Sequence, residues 1–330
     1  MKQLIIAVLF TLCAMAASAQ GSKFNINCDK GDKINKLLNT IAKSNAAPPV
    51  TINVSGTCKE SVLIQNFDRL TLLTKSGAVI IGASKNVNAA VTIAGSSKVT
   101  LDGFLIQSGL DGVTCAENSV CNLNNLTVEN GTIGGVAFVR SEGILIGNVI
   151  QNTGGRGVNA ANGSKILVVG GTIQGNAADG IGVVSGSEMA AQNVTIQNNA
   201  GDGIRTLLGS ASRMFDVTIT GNGGNGISLF AQANGSLEQV VTGNVVTGNA
   251  GNGILVRDLS FARFFDTNNV SGNLSQPDIT CQPQFPATRG AGTAGGTTDC
   301  AEPVSAQKEG RDSEKRYSGE AERPIAPSRK

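Results

Sequence analysis

The 330-residue sequence has no histidine, no tryptophan, a single tyrosine and only 15 % charged residues. Without histidine the chain lacks the commonest metal-binding imidazole and the usual side chain for proton transfer near neutral pH. No CxxC pair is present either, which argues against a structural zinc site. The scarcity of large aromatics removes most of the flat platforms that stack against sugar rings. A formal net charge of +2, with no long basic patch and no aromatic stacking platform, gives no reason to expect nucleic acid or an anionic membrane as partner. Beyond the first twenty residues, no apolar run approaches the ~20 residues that a membrane span needs. Low charge is here combined with abundant aliphatic residues and 43 glycines, about twice the roughly 7 % expected. That balance excludes a disordered chain.

The opening "MKQLIIAVLFTLCAMAASAQ" has one early Lys2, an apolar stretch and a small-residue ending at Ala17-Ser18-Ala19. It reads as a secretory signal, residues 1–19, cleaved after Ala19, and predicts a secreted or periplasmic protein. A lipoprotein reading of Cys13 is weakened by the bulky Leu12 before it. Removing the leader leaves six cysteines, an even number suited to an oxidising compartment. Six allow fifteen pairings. Their local grouping in sequence favours Cys28–Cys58, Cys115–Cys121 and Cys281–Cys300.

What the chain does contain is a repeat. "IQGNAADGI" from Ile173, "IQNNAGDGI" from Ile196, "ITGNGGNGI" from Ile219 and "VTGNAGNGI" from Val246 are versions of one unit. The residue before each final Ile or Val is a marker, falling at Ala90, Gly112, Gly135, Gly157, Gly180, Gly203, Gly226 and Gly253. The steps are 22 or 23 residues until a last step of 27. A fixed period in the twenties signals a solenoid. Three short alternating runs fill each period, for example "IGVV", "KILVVG" and "VTIQN", and alternation sends successive side chains to opposite faces of a strand. The expected fold is therefore all-β: a single-stranded right-handed parallel β-helix with three short strands per coil, stacked about 4.8 Å apart. Leucine-rich repeats share the period range, but their LxxLxL pattern is absent.

Asn176, Asn199, Asn222 and Asn249 each stand four residues before a marker. Stacked coils align these amides into a ladder in which each bonds to the coil beside it, with the backbone in the left-handed region that Asn tolerates. Glycine at Gly112, Gly135, Gly157, Gly180, Gly203, Gly226 and Gly253 permits tight turning where a Cβ would clash. Open ends of the stack need covers. At the start, "GDKINKLLNTIAKS" places Ile34, Leu37, Leu38 and Ile41 on one helical face, and residues 20–57 form an N-terminal cap. Residues 58–282 form the β-helix. Residues 283–330 are rich first in Pro, Gly and Thr, then in charge, and are expected to be a mostly disordered tail. The 27-residue step implies an insertion around "SLFAQANGS", a loop leaving one face.

With the leader, the capping helix and the "GNxxxGI" units together, the chain from about Cys28 to Cys281 resembles secreted right-handed β-helix proteins of the pectin-lyase-like superfamily. The resemblance implies a fold and a set of polysaccharide chemistries, among them pectate lyases, polygalacturonases, pectin methylesterases, alginate epimerases and phage tailspikes, beside members with no assigned activity. Polygalacturonase-like enzymes carry a His beside their Asp cluster, and this chain has none. Alginate-epimerase-like sites use Tyr and His with Asp, and the sole tyrosine, Tyr317, falls in the tail. Pectin-methylesterase-like sites add Gln donors and aromatic walls to Asp and Arg, and only the Asp and Arg are matched. Pectate-lyase-like chemistry passes this filter: Ca²⁺ on carboxylates acidifies the proton next to the uronate carboxyl, and an Arg is the base.

One residue before the marker runs the column Asp111, Gly134, Arg156, Asp179, Asp202, Asn225 and Asn252. On stacked coils it faces solvent, with Asp179 and Asp202 about 5 Å apart. Arg156 lies on the coil before them, and Arg205 projects two residues past Gly203. In one reading Asp179 and Asp202 hold Ca²⁺ or a ligand while Arg205 or Arg156 is the base of a uronate lyase. In the other, DG and NG are turn dipeptides and the arginines merely neutralise the acids. Arg257, Asp258 and Arg263 suggest a solvated ion pair past the last marker. The sequence thus favours a non-catalytic exported module that binds a polysaccharide, a cell-surface glycan or another cell-envelope component along a flat sheet. A Ca²⁺-dependent polysaccharide lyase and a structural or adhesive self-associating element are the alternatives.

Overall fold

The architecture follows from the inward-pointing apolar side chains of each coil, two from each of two strands and one from the third, as with Ile181 and Val183, Met189 and Ala191, and Ile196. The computed structural model of the protein describes residues 21–44, 46, 48–82, 88–238, 241–264, 267–281 and 293–295. The chain is a parallel β-solenoid of about ten turns with three sheets. Sheet A has eleven strands, from Ser22–Asn27 to Phe261–Phe264; sheet B has eleven, from Thr57–Lys59 to Thr293–Gly295; sheet C has ten, from Val62–Gln65 to Ile279–Cys281. Each coil visits C, then A, then B. The leader at residues 1–19 and nearly all of the tail lie outside the described residues.

Register is kept by side-chain columns. In sheet C, Ile181, Ile204, Ile227 and Ile254 pair in sequence, and all four are fully buried. In sheet B, Ile150, Ile173, Ile196, Ile219 and Val246 do the same. Burying an isoleucine is worth roughly 2–3 kcal/mol, and slipping one strand by a residue would turn its whole set outward.

The N-terminal helix forms where its pattern predicts, and Ser22–Asn27 and Val50–Ser55 on either side of it are already strands of sheet A. Helix α1 (Ile34–Lys43) buries Ile34, Leu38 and Ile41 against the first coils, while Leu37 is only partly covered. Its first turn is capped from across the fold: Ile34 N donates to Glu60 Oε1 at 2.7 Å and Asn35 N to Glu60 Oε2 at 3.2 Å. The Cys28–Cys58 disulfide ties this region to the first coil, and Cys115–Cys121 bridges sheets C and A. Cys281 is disulfide-bonded, and Cys300, its expected partner, lies outside the described residues.

Two local expectations are corrected. The insertion does not involve "SLFAQANGS", because Ile227–Phe230 and Asn234–Glu238 are regular strands of sheets C and A. The extra residues fall between Glu238 and Val245, on the way to sheet B. There Asp216 holds the inserted backbone, accepting from Val241 N at 2.8 Å, Thr242 N at 3.0 Å and Gly243 N at 2.8 Å. The left-handed residue of each corner is not the ladder asparagine either. It is the residue before it: Asn152, Gly175, Asn198, Gly221, Gly248 and Gly272 all have φ between 54° and 67°.

None of the seven marker glycines has a left-handed φ. They are required by crowding. A Cβ on Gly180 would lie 2.5 Å from Ile196 Cγ2 and 2.7 Å from the carbonyl oxygen of Gly203. The inward isoleucine of sheet B thus fills the volume that a side chain at the marker would need.

Candidate functional site

The asparagine column is continuous. Asn176, Asn199 and Asn222 donate through Nδ2 to Oδ1 of the next member at 2.8, 3.0 and 2.9 Å, and Asn249 donates to Asn273 at 2.9 Å. The backbone N–H of each member donates to the same oxygen. Thr153 starts the column through its hydroxyl, 2.8 Å from Asn176 Oδ1, and Asp278 ends it by accepting from Asn273 Nδ2 at 3.0 Å. Residue spacing alone does not reveal these two ends, because neither is an asparagine. A second column lies outside the repeated motif: Ser141, Ser164, Ser187 and Ser210 occupy the corner between sheets C and A. The hydroxyls of Ser164, Ser187 and Ser210 each accept the backbone N–H of the preceding member, at 3.1 to 3.2 Å.

The acidic column is a third ladder of this kind. Its side chains do not project into solvent; Asp179 is 5 % exposed and Asp202 8 %. Asp179 Oδ1 accepts from Asp202 N at 3.1 Å, and Asp202 Oδ1 accepts from Asn225 N at 2.7 Å and Asn225 Nδ2 at 3.0 Å. Asn225 Oδ1 in turn accepts from Asn252 N at 2.9 Å. The remaining Asp179 oxygen is taken by Arg156 Nε at 3.0 Å, and Arg156 Nη1 donates to Asn159 Oδ1 at 3.0 Å. Arg156 lies across Gly182, whose missing side chain makes room for it. Among the described residues, no group of three or more His, Cys, Asp or Glu could hold a metal ion.

Asp111 stands apart from this pairing. It faces Gly134 across the strand pair, and its carboxyl accepts from Thr114 Oγ1 at 3.3 Å. Burial pushes its pKa up, and the bond from Thr114 only partly offsets that. Arg205 does lie on the outer face, but it turns towards Phe230 and forms no ion pair with Asp179 or Asp202. Arg257 meets the exposed Asp258 at 3.6 Å, and Arg263 lies over the ring of Phe261.

A further open feature lies on the outer face of sheet A. A trough of about 540 Å³ runs across five coils. Its floor is Asn122, Ile144, Leu167, Ala190 and Arg213, one residue per coil, and Glu142, Lys165 and Glu188 line one side. At about 4.8 Å per coil the row is roughly 19 Å long. A second hollow of about 360 Å³ continues it through Ser236 and Arg263, beside Phe261. Ile144 is 39 % exposed and is among the larger apolar side chains left open to solvent. The signal for it in the sequence is "GILIGN", where Ile144 alternates with the inward Leu145, but outward isoleucines are hard to tell from core residues without knowing the strand's facing.

Residues 111–274 match the family described as right-handed beta helix region. No curated protein matches the sequence significantly. Solved structures share the fold at low identity. The A-module of Azotobacter vinelandii mannuronan C-5 epimerase AlgE4 superposes with a TM-score of 0.64 at 13 % identity, over 83 % of this chain and 96 % of that one. The AlgE6 A-module from the same organism gives 0.54 at 14 % identity, over 87 % and 93 %. The pectate lyase Pel9A gives 0.51 at 13 % identity, over 86 % and 80 %. Likeness at this identity is a likeness of fold.

Proposed function

On the footing that the chain is a right-handed parallel β-helix of the pectin-lyase-like kind, we propose that it is an exported, non-catalytic module that binds an extended polysaccharide along the sheet A trough. The observation that carries this reading is the trough itself. A floor with Ile144, Leu167 and Ala190 offers apolar contact to the faces of successive sugar rings. Glu142, Lys165, Glu188 and Arg213 supply polar partners of both signs for hydroxyls and carboxylates along the same row. Its length suits a linear chain rather than a compact ligand.

Three further observations support the reading. Asp179 and Asp202 hold the backbone of neighbouring coils, so using them as calcium ligands would take oxygens from the fold. The structural relatives include enzymes of mannuronan and pectate, which supports a polysaccharide partner. Two disulfides fit an oxidising compartment and hence export through the leader at residues 1–19; among the described residues no helix is long and apolar enough to cross a membrane.

Calorimetric titration with a panel of oligouronates and neutral oligosaccharides tests the proposal. At least one glycan is expected to bind the wild type, and Lys165→Ala/Arg213→Ala to weaken it by about tenfold, equivalent to about 1.4 kcal/mol. Absence of binding across the panel, or binding indifferent to these substitutions, contradicts it.

A further inference from the structure

Arg205, Phe230 and Arg257 come from three successive coils of sheet C and meet on its outer face. Phe230 pairs with Leu207 of the Arg205 strand, and Arg257 follows the residue paired with Leu229. The Arg205 guanidinium lies 5.4 Å from the centroid of the Phe230 ring and that of Arg257 4.0 Å from it. The ring itself is only 8 % exposed. Each cation–π contact is favourable, yet together they draw two like charges onto one ring.

The Nε–H groups of the two arginines are short of acceptors. Arg205 Nε and Arg257 Nε are both buried without a hydrogen-bond partner. Buried donors of this kind are rare because each is costly to leave unpaired. Asp202, three residues before Arg205, directs its Oδ1 to Asn225 instead. The carboxylate facing Arg257 is the exposed Asp258, 3.6 Å away, and such a solvated pair contributes little. Arg156, on the same face, shows the contrast: its Nε has Asp179 and its Nη1 has Asn159. Arg156 is held by two oxygens of the fold, whereas the Nε–H groups of Arg205 and Arg257 have none within hydrogen-bond reach.

We propose that Arg205, Phe230 and Arg257 form a binding site for an anionic substituent of a saccharide, a carboxylate or a sulfate. Paired planar guanidiniums supply the N–H donors that such a group accepts, and the buried ring beneath holds the two side by side. The corner at Ala231–Ala233 separates Phe230 from Asn234 at the edge of the trough system. The site therefore goes beyond the trough reading and stands without it.

Arginine Nε–H resonances of the full chain, recorded at constant ionic strength, read this site directly. Titration with trigalacturonate is expected to shift the Arg205 and Arg257 signals saturably. Inorganic sulfate is expected to compete at higher concentration, and neutral maltotriose to leave both signals in place. Arg205→Gln/Arg257→Gln is expected to weaken trigalacturonate binding by about tenfold. Lys165→Ala/Arg213→Ala is expected to leave the shifts unchanged, which keeps this test separate from that of the trough. No saturable shift with trigalacturonate, saturation by sulfate alone, or equal response to maltotriose overturns the proposal. The wild-type titration decides these points even where the double variant folds poorly.

Discussion

Asp179 Oδ1 accepts the backbone N–H of Asp202 at 3.1 Å, so that one aspartate of the repeat holds the next in place. The link recurs one coil on, from Asp202 to Asn225, and again from Asn225 to Asn252. The column thus works identically whether its member is an acid or an amide. What the position requires is a side-chain oxygen at the δ position, aimed along the helix axis.

Asp202→Ala is accordingly expected to destabilise the chain by about 2 kcal/mol, because the Asn225 N–H and its side-chain amide lose their acceptor. Asp202→Asn keeps an acceptor oxygen and is expected to cost less than half as much. Chemical denaturation measures both, and equal losses would mean that the charge, not the cap, is what matters.

Asn222 stands in the interior of its ladder, accepting from Asn199 and donating to Asn249 and to the Ile196 carbonyl. Asn222→Ala breaks the column on both sides, with an expected loss of about 3 kcal/mol from several bonds at roughly 1 kcal/mol each. Thr153→Ala, at the end of the same column, is expected to cost about 1 kcal/mol. The ratio of the two midpoint shifts in a urea series reports the ladder's continuity, and similar shifts would deny it.

The partly buried carboxyl of Asp111 gives the stability a pH dependence of unusual sign. Burial raises its folded-state pKa, so the folded chain keeps this proton over a range in which the unfolded chain has released it. Raising the pH from about 4 through that range therefore removes stability from the wild type that Asp111→Asn does not lose. The variant is expected to gain on the wild type in thermal midpoint between acid and neutral pH. A difference that stays constant, or moves the other way, contradicts this.

The solenoid is legible in the sequence because its cause is periodic. Asn176, Asn199 and Asn222 recur at one spacing, and inward Ile181, Ile204 and Ile227 recur with them. Directions of side chains are less legible. A residue beside a turn glycine can face solvent or the next coil, and Asp179 and Asp202 face the next coil, where backbone donors await them. That the marker glycines tolerate no Cβ follows from the repeat, but the reason, the methyl of Ile196 against Gly180, depends on contact between sheets B and C. The trough and the Arg205–Phe230–Arg257 group escape a reading of the sequence for a related reason. Each gathers single residues from several coils that match no repeated pattern, and only the stacking places them side by side.

One titration decides whether these aspartates serve the fold or the ligand. The glycan that binds the wild type most tightly is titrated calorimetrically into Asp179→Asn/Asp202→Asn, with and without calcium. An affinity within about twofold of wild type, unaffected by calcium, is the predicted result. A loss of about tenfold or more, or calcium-dependent binding that the substitutions abolish, would show the pair at work on the ligand and contradict the role given to it here.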